Sequence, residues 1–319
     1  MPYAVDIFKA LSDPTRLRIV TLLRSMELSV GELAHVLGQS QPRVSRHIKI
    51  LCDAEIAIRR REGSWVFLAL GDPKWLTPLF EASDYLTKIS GGDHWAQADS
   101  VRLSAVRADR AAFAERYFTD HAKDWDAIRS LHESDEAVEH KIVAALTQSP
   151  IGRLVDVGTG TGRMIELLGT NASHIVGIDR SPEMLRLARA KLAEAGLDQI
   201  DLRQGDINGL PLDADCADTA ILHQVLHYLP APEAAIAELA RITAPNGRIL
   251  IIDFAPHDHE ELRDKNAHAR LGFSDEQIKG WFTASGLVCD HIDTLPGTPL
   301  TVKIWRGHKT DTQSKVTTT

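Results

Sequence analysis

The chain has 319 residues, of which 44% are hydrophobic and 25% charged, a composition typical of a globular protein of about two domains. No apolar run reaches the roughly 18 residues that a membrane span needs, and the charged first residues lack a signal-peptide core, so no membrane partner is expected. The three cysteines, Cys52, Cys216 and Cys289, are far apart, which argues against disulfides and a clustered zinc site and predicts a cytoplasmic protein. The net charge is −8, yet residues 1–72 hold ten Lys and Arg against eight Asp and Glu. This asymmetry predicts that nucleic acid contacts only that end of the chain.

The first predicted elements are two short helices, over residues 3–11 and 13–24. Asp13 precedes a proline, so its side chain can cap the second helix while the proline occupies the first turn. A third helix is predicted to begin with a capping box, because Ser29 is followed three residues later by Glu32. These signals predict a helical start to the domain over residues 1–72.

A fourth helix is predicted over residues 41–53 and a β-hairpin over residues 56–70. Val44, Ile48 and Leu51 form one apolar stripe on that helix. Polar and basic side chains lie off the stripe, where Gln and Arg can bind base edges and arginines on a hairpin can bind phosphates. The candidate DNA-binding residues are Gln41, Arg43, Ser45, Arg46 and Lys49 on the helix and Arg59, Arg60 and Arg61 on the hairpin.

Helix, turn, helix and basic hairpin in this order are typical of a winged helix-turn-helix domain. The segments ALSDPTRLRI (10–19), SQPRVSRHIKIL (40–51) and RREG (60–63) resemble the ArsR/SmtB family of bacterial repressors. The resemblance implies a homodimer on double-stranded, palindromic operator DNA. Residues 28–33 lack the Cys-x-Cys pair of metalloid-sensing members, so arsenic sensing through that site is not expected.

Residues 73–150 are predicted to be a helical region that serves dimerisation or links two domains. In the ArsR-type resemblance, residues 75–89 correspond to the terminal dimerisation helix. Residues 90–93, Ser-Gly-Gly-Asp, are typical of a hinge.

Residues 151–308 alternate apolar strand segments with helical segments, which is typical of a parallel sheet with helices on both faces. The first strand ends at Asp156 and continues into Gly-Thr-Gly-Thr-Gly, where glycines allow a sharp turn and close approach to a ligand. The helix that follows directs its N-terminal amides at the ligand. Residues 309–319 are predicted to be a disordered tail. The strands are predicted over residues 154–158, 175–179, 200–204, 218–222, 248–254, 287–293 and 300–305.

This glycine spacing differs from the dinucleotide fingerprint, because residue 163 is an arginine. Together with the acidic ends of the next two strands, it resembles class I S-adenosylmethionine-dependent methyltransferases. The resemblance implies a Rossmann-like, seven-stranded α/β domain that uses S-adenosylmethionine and releases S-adenosylhomocysteine; a doubly wound domain for another nucleotide is the alternative. The expected cofactor-binding residues are Asp156, Gly158, Thr159, Gly160, Gly162, Asp179, Arg180, Asp206, Ile207 and His223.

Two of these carboxylates have specific expected roles. Asp179 can accept hydrogen bonds from both ribose hydroxyls of a nucleoside. In the methyltransferase resemblance, Asp206 takes the place of the acid that accepts from the adenine amino group. Trp125 and Tyr117 precede the glycine turn, and they either cover the cofactor or belong to the core.

The methyl group on a sulfonium is already electrophilic, so the protein has to position the acceptor and supply a base. Candidates follow the fourth and fifth strands, where ligands of open α/β sheets bind. The leading catalytic candidates are His227, Tyr228, His257 and His259, and the wider set adds His223, Asp253 and Arg263. A metal pair at His257 and His259 is less favoured than a solvated loop, so no metal is predicted.

Two functions fit these features. The chain is either a regulator whose methyltransferase-like domain senses S-adenosylmethionine, its product or an acceptor, or a small-molecule methyltransferase that controls its own operon. Turnover of an acceptor separates the two functions, and the intact cofactor motifs indicate that cofactor binding at least is retained. The chain is predicted to be a methyltransferase, with a catalytically silent sensor as the alternative. Methylation of DNA bases is not expected, because the Asp/Asn-Pro-Pro-Tyr motif is absent after the fourth strand.

Overall fold

A computed structural model describes residues 4–62, 65–89, 95–121, 125, 135–197 and 200–310, and the chain divides into two units. Unit 1 spans Met1–Ala112 and unit 2 spans Phe113–Thr319, and each is described by itself. The division falls within the helical region predicted over residues 73–150. The predicted hinge and residues 311–319 of the predicted tail lie outside the described residues.

Unit 1 combines helices with a three-stranded antiparallel sheet in the order β1-β3-β2. This is the winged helix-turn-helix arrangement that the sequence predicts, with α3 and α4 as the two helices of the motif and β2 and β3 as the wing. The elements are α1 (Ala4–Leu11), α2 (Pro14–Leu23), β1 (Leu28–Ser29), α3 (Val30–Leu37), α4 (Gln41–Asp53), β2 (Ala57–Glu62), β3 (Trp65–Leu70), α5 (Pro73–Ile89) and the first part of α6 (Ala96–His121).

The helix boundaries follow from capping groups encoded locally. The Asp13 carboxylate accepts a hydrogen bond from the amide of Thr15 at 2.8 Å, which starts α2. Ser29 and Glu32 form the reciprocal capping box of α3, and Gly38, with φ +65°, ends that helix in the left-handed region. Each such N-cap is worth about 1 kcal/mol, so these residues set where the chain turns between helices.

A buried ion pair fastens α6 to α2. The Arg18 guanidinium donates through Nε and Nη2 to the two Asp99 carboxylate oxygens at 2.7 and 2.6 Å, and Nη2 also donates to the Leu37 carbonyl at 3.3 Å. The two side chains are only 7% and 8% exposed. Further along α6, Arg102 donates to the Val36 carbonyl at 3.0 Å. These contacts explain why unit 1 extends beyond the wing into α6.

Unit 2 contains a seven-stranded sheet in the order β6-β5-β4-β7-β8-β10-β9. The first five strands in this order are parallel, whereas β10 runs antiparallel to both β8 and β9. This confirms the predicted Rossmann-like α/β class. The elements are α7 (Asp135–Leu146), β4 (Gly152–Val157), α8 (Arg163–Leu168), β5 (Ala172–Asp179), α9 (Pro182–Glu194), β6 (Asp201–Gln204), β7 (Ala217–His223), α10 (Pro232–Ile242), β8 (Thr243–Phe254), α11 (Glu261–Asn266), α12 (Asp275–Ala284), β9 (Leu287–Leu295) and β10 (Val302–Lys309).

Alternating side chains of these strands build two apolar layers. Val155 and Ile249 belong to the layer that includes α10 and α12, whereas Leu154 and Leu250 belong to the layer that includes α7 and α8. Because both faces of the sheet are covered, the loops at the carboxyl ends of β4, β5, β6, β7 and β8 form the edge available for a ligand. Within the described ranges, no helix combines the length and apolar character that crossing a membrane demands.

Candidate functional site

The glycine-rich turn between β4 and α8 has a backbone that requires glycine. Gly158, Gly160 and Gly162 have φ values of +71°, +54° and +86°. A Cβ atom added to Gly158 would lie 2.4 Å from Val225 Cγ2, whereas one added to Gly160 would lie 3.5 Å from the indole nitrogen of Trp125. The turn therefore packs closely against the segment after β7 and lies beside the Trp125 ring.

Asp179, at the end of β5, holds this turn. One carboxylate oxygen accepts from the Gly160 amide at 2.8 Å, and the other accepts from the Ser181 amide at 2.8 Å. Burial raises the pKa of Asp179, and the bonds from backbone amides partly oppose that increase. The carboxylate predicted to bind ribose thus lies in direct contact with the glycine turn.

Asp156 is a fully buried carboxyl group at the base of the turn. It accepts a hydrogen bond from the Thr159 hydroxyl at 2.6 Å. Burial raises its pKa from 3.8 to about 7; the bond from Thr159 lowers the value, and the charge of Asp179 raises it further. Asp156 therefore changes protonation near neutral pH.

We expect Asp156→Asn to make folding stability less dependent on pH. Because the folded pKa of Asp156 lies above its ordinary value, its stabilising contribution is fully present below about pH 4 and is lost as the pH rises through about 7. Asparagine does not titrate, so the variant keeps its stability over this pH range. The unfolding free energy of the variant minus that of wild type should therefore be about 2 kcal/mol larger at pH 7 than at pH 5. Urea denaturation at both pH values measures this change. A difference that is the same at both pH values would contradict the assignment.

The other predicted cofactor residues follow the neighbouring strands. Arg180 is exposed directly after β5, and His223 is half-buried at the end of β7. Asp206 is exposed after β6, and its carboxylate accepts from the Asn208 amide at 2.9 Å. Ile207 packs against the apolar layer beneath it. All of these residues lie at the carboxyl ends of β5, β6 and β7.

A histidine and an aspartate meet where the segment after β7 approaches the end of β8. His227 Nδ1 lies 2.8 Å from Asp253 Oδ1, and the His227 amide donates to the other oxygen at 3.2 Å. The side chains are 2% and 0% exposed. Because the carboxylate accepts hydrogen bonds, it favours a proton on Nδ1 and leaves Nε2 of a neutral ring as an acceptor.

The Nε2 atom of His227 is buried and has no hydrogen-bond partner among the residues that the structure describes. An unsatisfied buried polar group costs about 1–3 kcal/mol, so such an atom is a candidate for contact with a ligand. His227 and Asp253 are both candidates by their positions in the sequence, but their pairing depends on the packing of β8 beside β7.

Aromatic rings surround this pair. The centroid of the His227 ring lies 4.0 Å from that of Tyr228 and 4.2 Å from that of His268. Tyr228 in turn contacts Phe118 and Trp125 with centroid distances of 4.7 and 6.1 Å. Burial raises the pKa of Tyr228 well above its ordinary value, so its hydroxyl stays protonated. Trp125 therefore belongs to this cluster and lies beside the glycine turn.

His257 and His259 differ in their surroundings. The His259 amide donates to His257 Nδ1 at 3.3 Å, and burial lowers the pKa of His257 to about 4, so this ring is neutral at pH 7. The His257 ring lies 6.3 Å from that of His268, whereas His259 Nδ1 lies 3.1 Å from the Glu261 carboxylate. In the part of unit 2 that the structure describes, no three His, Cys, Asp or Glu side chains are grouped to hold a metal ion.

On α4 of unit 1, the apolar stripe predicted from the sequence is buried. Val44, Ile48 and Leu51 are at most 1% exposed. The opposite side of the helix carries side chains that the structure leaves exposed. These exposed residues are Gln41, Arg43, Ser45, Arg46 and Lys49.

The three consecutive arginines of β2 are predicted to bind DNA together, but they lie on two different faces of the strand because side chains alternate along it. Arg59 and Arg61 are exposed. Arg60 lies on the opposite face, where its guanidinium pairs with the Glu27 carboxylate. Arg60 is therefore less accessible than Arg59 and Arg61, because successive residues of a strand point to opposite faces, and its contact with DNA stays a prediction.

Two protein-family models match this chain, one in each of its two units. The family model for bacterial regulatory protein, arsR family, matches residues 13–59, and the one for methyltransferase domain matches residues 155–251. The arsenic resistance transcriptional regulator ArsR1 of Pseudomonas putida is 37% identical over 103 residues, which is 31% of this chain and 77% of that protein. Demethylmenaquinone methyltransferase of Desulfitobacterium hafniense is 31% identical over 165 residues, which is 50% of this chain and 65% of that enzyme.

Among solved structures, a methyltransferase of Haloferax volcanii in complex with the Trm112 methyltransferase activator has the fold of unit 2. The TM-score is 0.52 at 21% identity, covering 61% of this chain and 98% of that one. A winged helix-turn-helix unit and a Rossmann-like methyltransferase unit thus define a two-domain regulator. The chain belongs to the ArsR family of bacterial regulatory proteins, and its regulator domain is fused to a methyltransferase domain.

Proposed function

We propose that this chain is a DNA-binding transcriptional regulator whose second domain binds S-adenosylmethionine and methylates a small molecule. The observation that carries this proposal is the glycine turn held by Asp179 at the carboxyl edge of the sheet. A turn of glycines in the left-handed region beside a carboxylate suits a nucleoside. The backbone amides of the turn can donate hydrogen bonds to the ligand, and the carboxylate can accept hydrogen bonds from its ribose hydroxyls. Bound S-adenosylmethionine would supply an electrophilic methyl group on its sulfonium.

The residues around the turn fit this cofactor. Asp179 has the position to accept from the ribose hydroxyls, and Asp206 is exposed for the adenine amino group. The half-buried Ile207 offers an apolar surface to the adenine ring. At Gly160, the absence of a Cβ leaves space between the turn and the Trp125 indole. S-adenosylhomocysteine, the product, carries the same adenosyl group and should bind the same residues.

For unit 1, we infer contact of α4 with the major groove of double-stranded DNA, with Arg59 and Arg61 on the phosphates. Homodimer formation is supported by apolar side chains that are exposed on α5: Tyr85, Leu86 and Ile89 are 67%, 60% and 65% exposed. A twofold dimer would place two copies of α4 on two half-sites of an operator.

We expect Arg46→Ala to weaken operator binding by about 10- to 100-fold, because a bidentate contact of arginine with guanine contributes about 1–3 kcal/mol. The operator is obtained by mapping bound DNA in the native genome, and affinity is then measured by fluorescence anisotropy. Arg186→Ala, an exposed position on α9 of unit 2, is the control and should bind DNA like wild type. Equal operator affinities for Arg46→Ala and wild type would refute the role of α4.

Sensing without turnover is the alternative within the same architecture. A pure sensor needs a ligand whose affinity differs between the DNA-bound and DNA-free states, but it needs no base. The buried pair of His227 and Asp253 therefore favours an active methyltransferase. Genome mapping repeated with added S-adenosylmethionine or S-adenosylhomocysteine tests whether either ligand releases DNA.

A further inference from the structure

We propose that His227, oriented by Asp253, is the general base of unit 2, and that the acceptor is a hydroxyl on a flat, apolar ring. This inference rests on the proposed methyltransferase function and assigns its acceptor chemistry. The observation behind it is a fully buried carboxylate bonded to one ring nitrogen, while the other ring nitrogen has no partner in the described parts of the chain.

The pair lies close to the predicted cofactor turn. Val225, two residues before His227, packs against Gly158 so tightly that a Cβ there would clash at 2.4 Å. On the other side, Tyr228 contacts Trp125, whose indole lies beside Gly160. His227 thus lies between Val225, which packs on the turn, and Tyr228, which contacts the tryptophan beside it.

The orientation of the imidazole is fixed by three hydrogen bonds at Asp253. The carboxylate accepts hydrogen bonds from the His227 ring nitrogen, the His227 amide and the Phe254 amide, so it cannot rotate without losing several of them. A buried carboxylate that holds Nδ1 selects the tautomer with a bare Nε2, and it stabilises the imidazolium that forms when Nε2 takes a proton.

The acceptor class follows from which nucleophiles need such a base. A neutral amine or a thiolate is nucleophilic enough to attack without a base, whereas the neutral oxygen of an alcohol or phenol is a weak nucleophile and must lose its proton as it attacks. The surrounding rings of Tyr228, Phe254 and His268 lie 4.0, 5.0 and 4.2 Å from His227, which suits a planar acceptor. Because Nε2 is covered in this structure, the rings have to shift when the acceptor enters.

In the transfer step, the acceptor oxygen forms a bond to the methyl carbon while the carbon–sulfur bond breaks and its electron pair moves to sulfur. The hydroxyl proton passes to Nε2 of His227, whose positive charge Asp253 balances. The products are a methyl ether and a thioether, and the proton then leaves the imidazolium for water. No oxidant or further reactant is required.

The first test uses the wild-type full-length chain saturated with S-adenosylhomocysteine, so that no turnover occurs. Phenol and anisole are compared as probes by ligand-observed NMR, since they differ in the hydroxyl that would donate to Nε2. We expect phenol to bind at least tenfold more tightly than anisole. Equal binding of the two probes would overturn the assignment of the acceptor.

The second test compares phenol with benzenethiol as methyl acceptors at pH 8. Phenol, with a pKa of about 10 like tyrosine, is protonated there and needs the base, whereas benzenethiol is already ionised. We expect His227→Gln and Asp253→Asn to reduce methylation of phenol at least 100-fold while methylation of benzenethiol changes less than threefold. His291→Gln alters the exposed histidine of a His–Asp pair on β9 and should leave both rates unchanged.

The results of these tests distinguish a wrong role for His227 from a wrong assignment of methyltransferase function. A wild-type chain that methylates benzenethiol but not phenol, or variants that lose both reactions equally, would overturn the role of His227 while leaving methyl transfer intact. Calorimetry of each variant with S-adenosylmethionine checks that the cofactor still binds. A wild-type chain that binds no S-adenosylmethionine would instead refute the function proposed above.

Discussion

Asp179→Ala is expected to reduce the affinity for S-adenosylmethionine at least 100-fold. Two hydrogen bonds from ribose hydroxyls to a carboxylate contribute about 1.5–3 kcal/mol each, and tenfold in affinity corresponds to about 1.4 kcal/mol. The substitution also removes the side-chain bond to the Gly160 amide, whereas the Gly158 and Thr159 amides keep their bonds to the Ile178 carbonyl of β5. Isothermal titration calorimetry with S-adenosylmethionine and S-adenosylhomocysteine measures the loss.

The matched control for this prediction is Asp218→Asn. Asp218 lies near the amino end of β7, away from the carboxyl ends of the strands, and its carboxylate pairs with Arg153. This variant should therefore bind the cofactor like wild type. Circular dichroism establishes that both variants are folded. A folded Asp179→Ala chain with undiminished affinity would show that the adenosyl group binds elsewhere.

Asp99→Ala is expected to destabilise unit 1 by about 3–5 kcal/mol. The substitution leaves the Arg18 guanidinium buried with the Leu37 carbonyl and the Trp95 ring, neither of which carries a negative charge to balance it. Removing one partner of a buried ion pair is costly because the remaining charge stays desolvated. Hydrogen exchange of the α2 amides at increasing urea concentration reports the stability of this unit.

Two comparison variants test this explanation. Asp84→Ala removes the partner of Arg24 in an ion pair that is similar in geometry but exposed, and it should cost about 0–1 kcal/mol. The double variant Arg18→Met/Asp99→Leu replaces both charges by apolar groups and should regain most of the lost stability. If the double variant were as unstable as Asp99→Ala, lost packing and not the unpaired charge would be the cause.

The parts of the fold that the sequence predicts are those with local causes. Asp13 caps α2 and Ser29 begins the capping box of α3, because each bond closes within three residues. The buried stripe of α4 likewise follows from its 3.6-residue period. The Arg18–Asp99 pair joins residues 81 positions apart, so no local pattern indicates that α6 packs on α2.

The candidate site shows the same division. The glycine turn and the strand that ends at Asp179 are visible in the sequence, because glycine spacing and strand length are local properties. Pairing of His227 with Asp253 depends on the register in which β8 lies beside β7. The run of arginines in β2 contained a usable signal, since alternation assigns Arg60 to the opposite face, although its partner Glu27 lies 33 residues away.

The position of β10 has a consequence for biosynthesis. Among the strands that the structure describes, β10 comes last in the sequence, yet it lies between β8 and β9, and its buried Trp305 donates to the Asp275 carboxylate at 2.8 Å. While the ribosome still holds residues 302–309, the antiparallel strand β9 has no neighbour to pair with. Unit 1, which is synthesised earlier, can therefore fold while unit 2 still lacks the strand that joins β9 to the rest of its sheet.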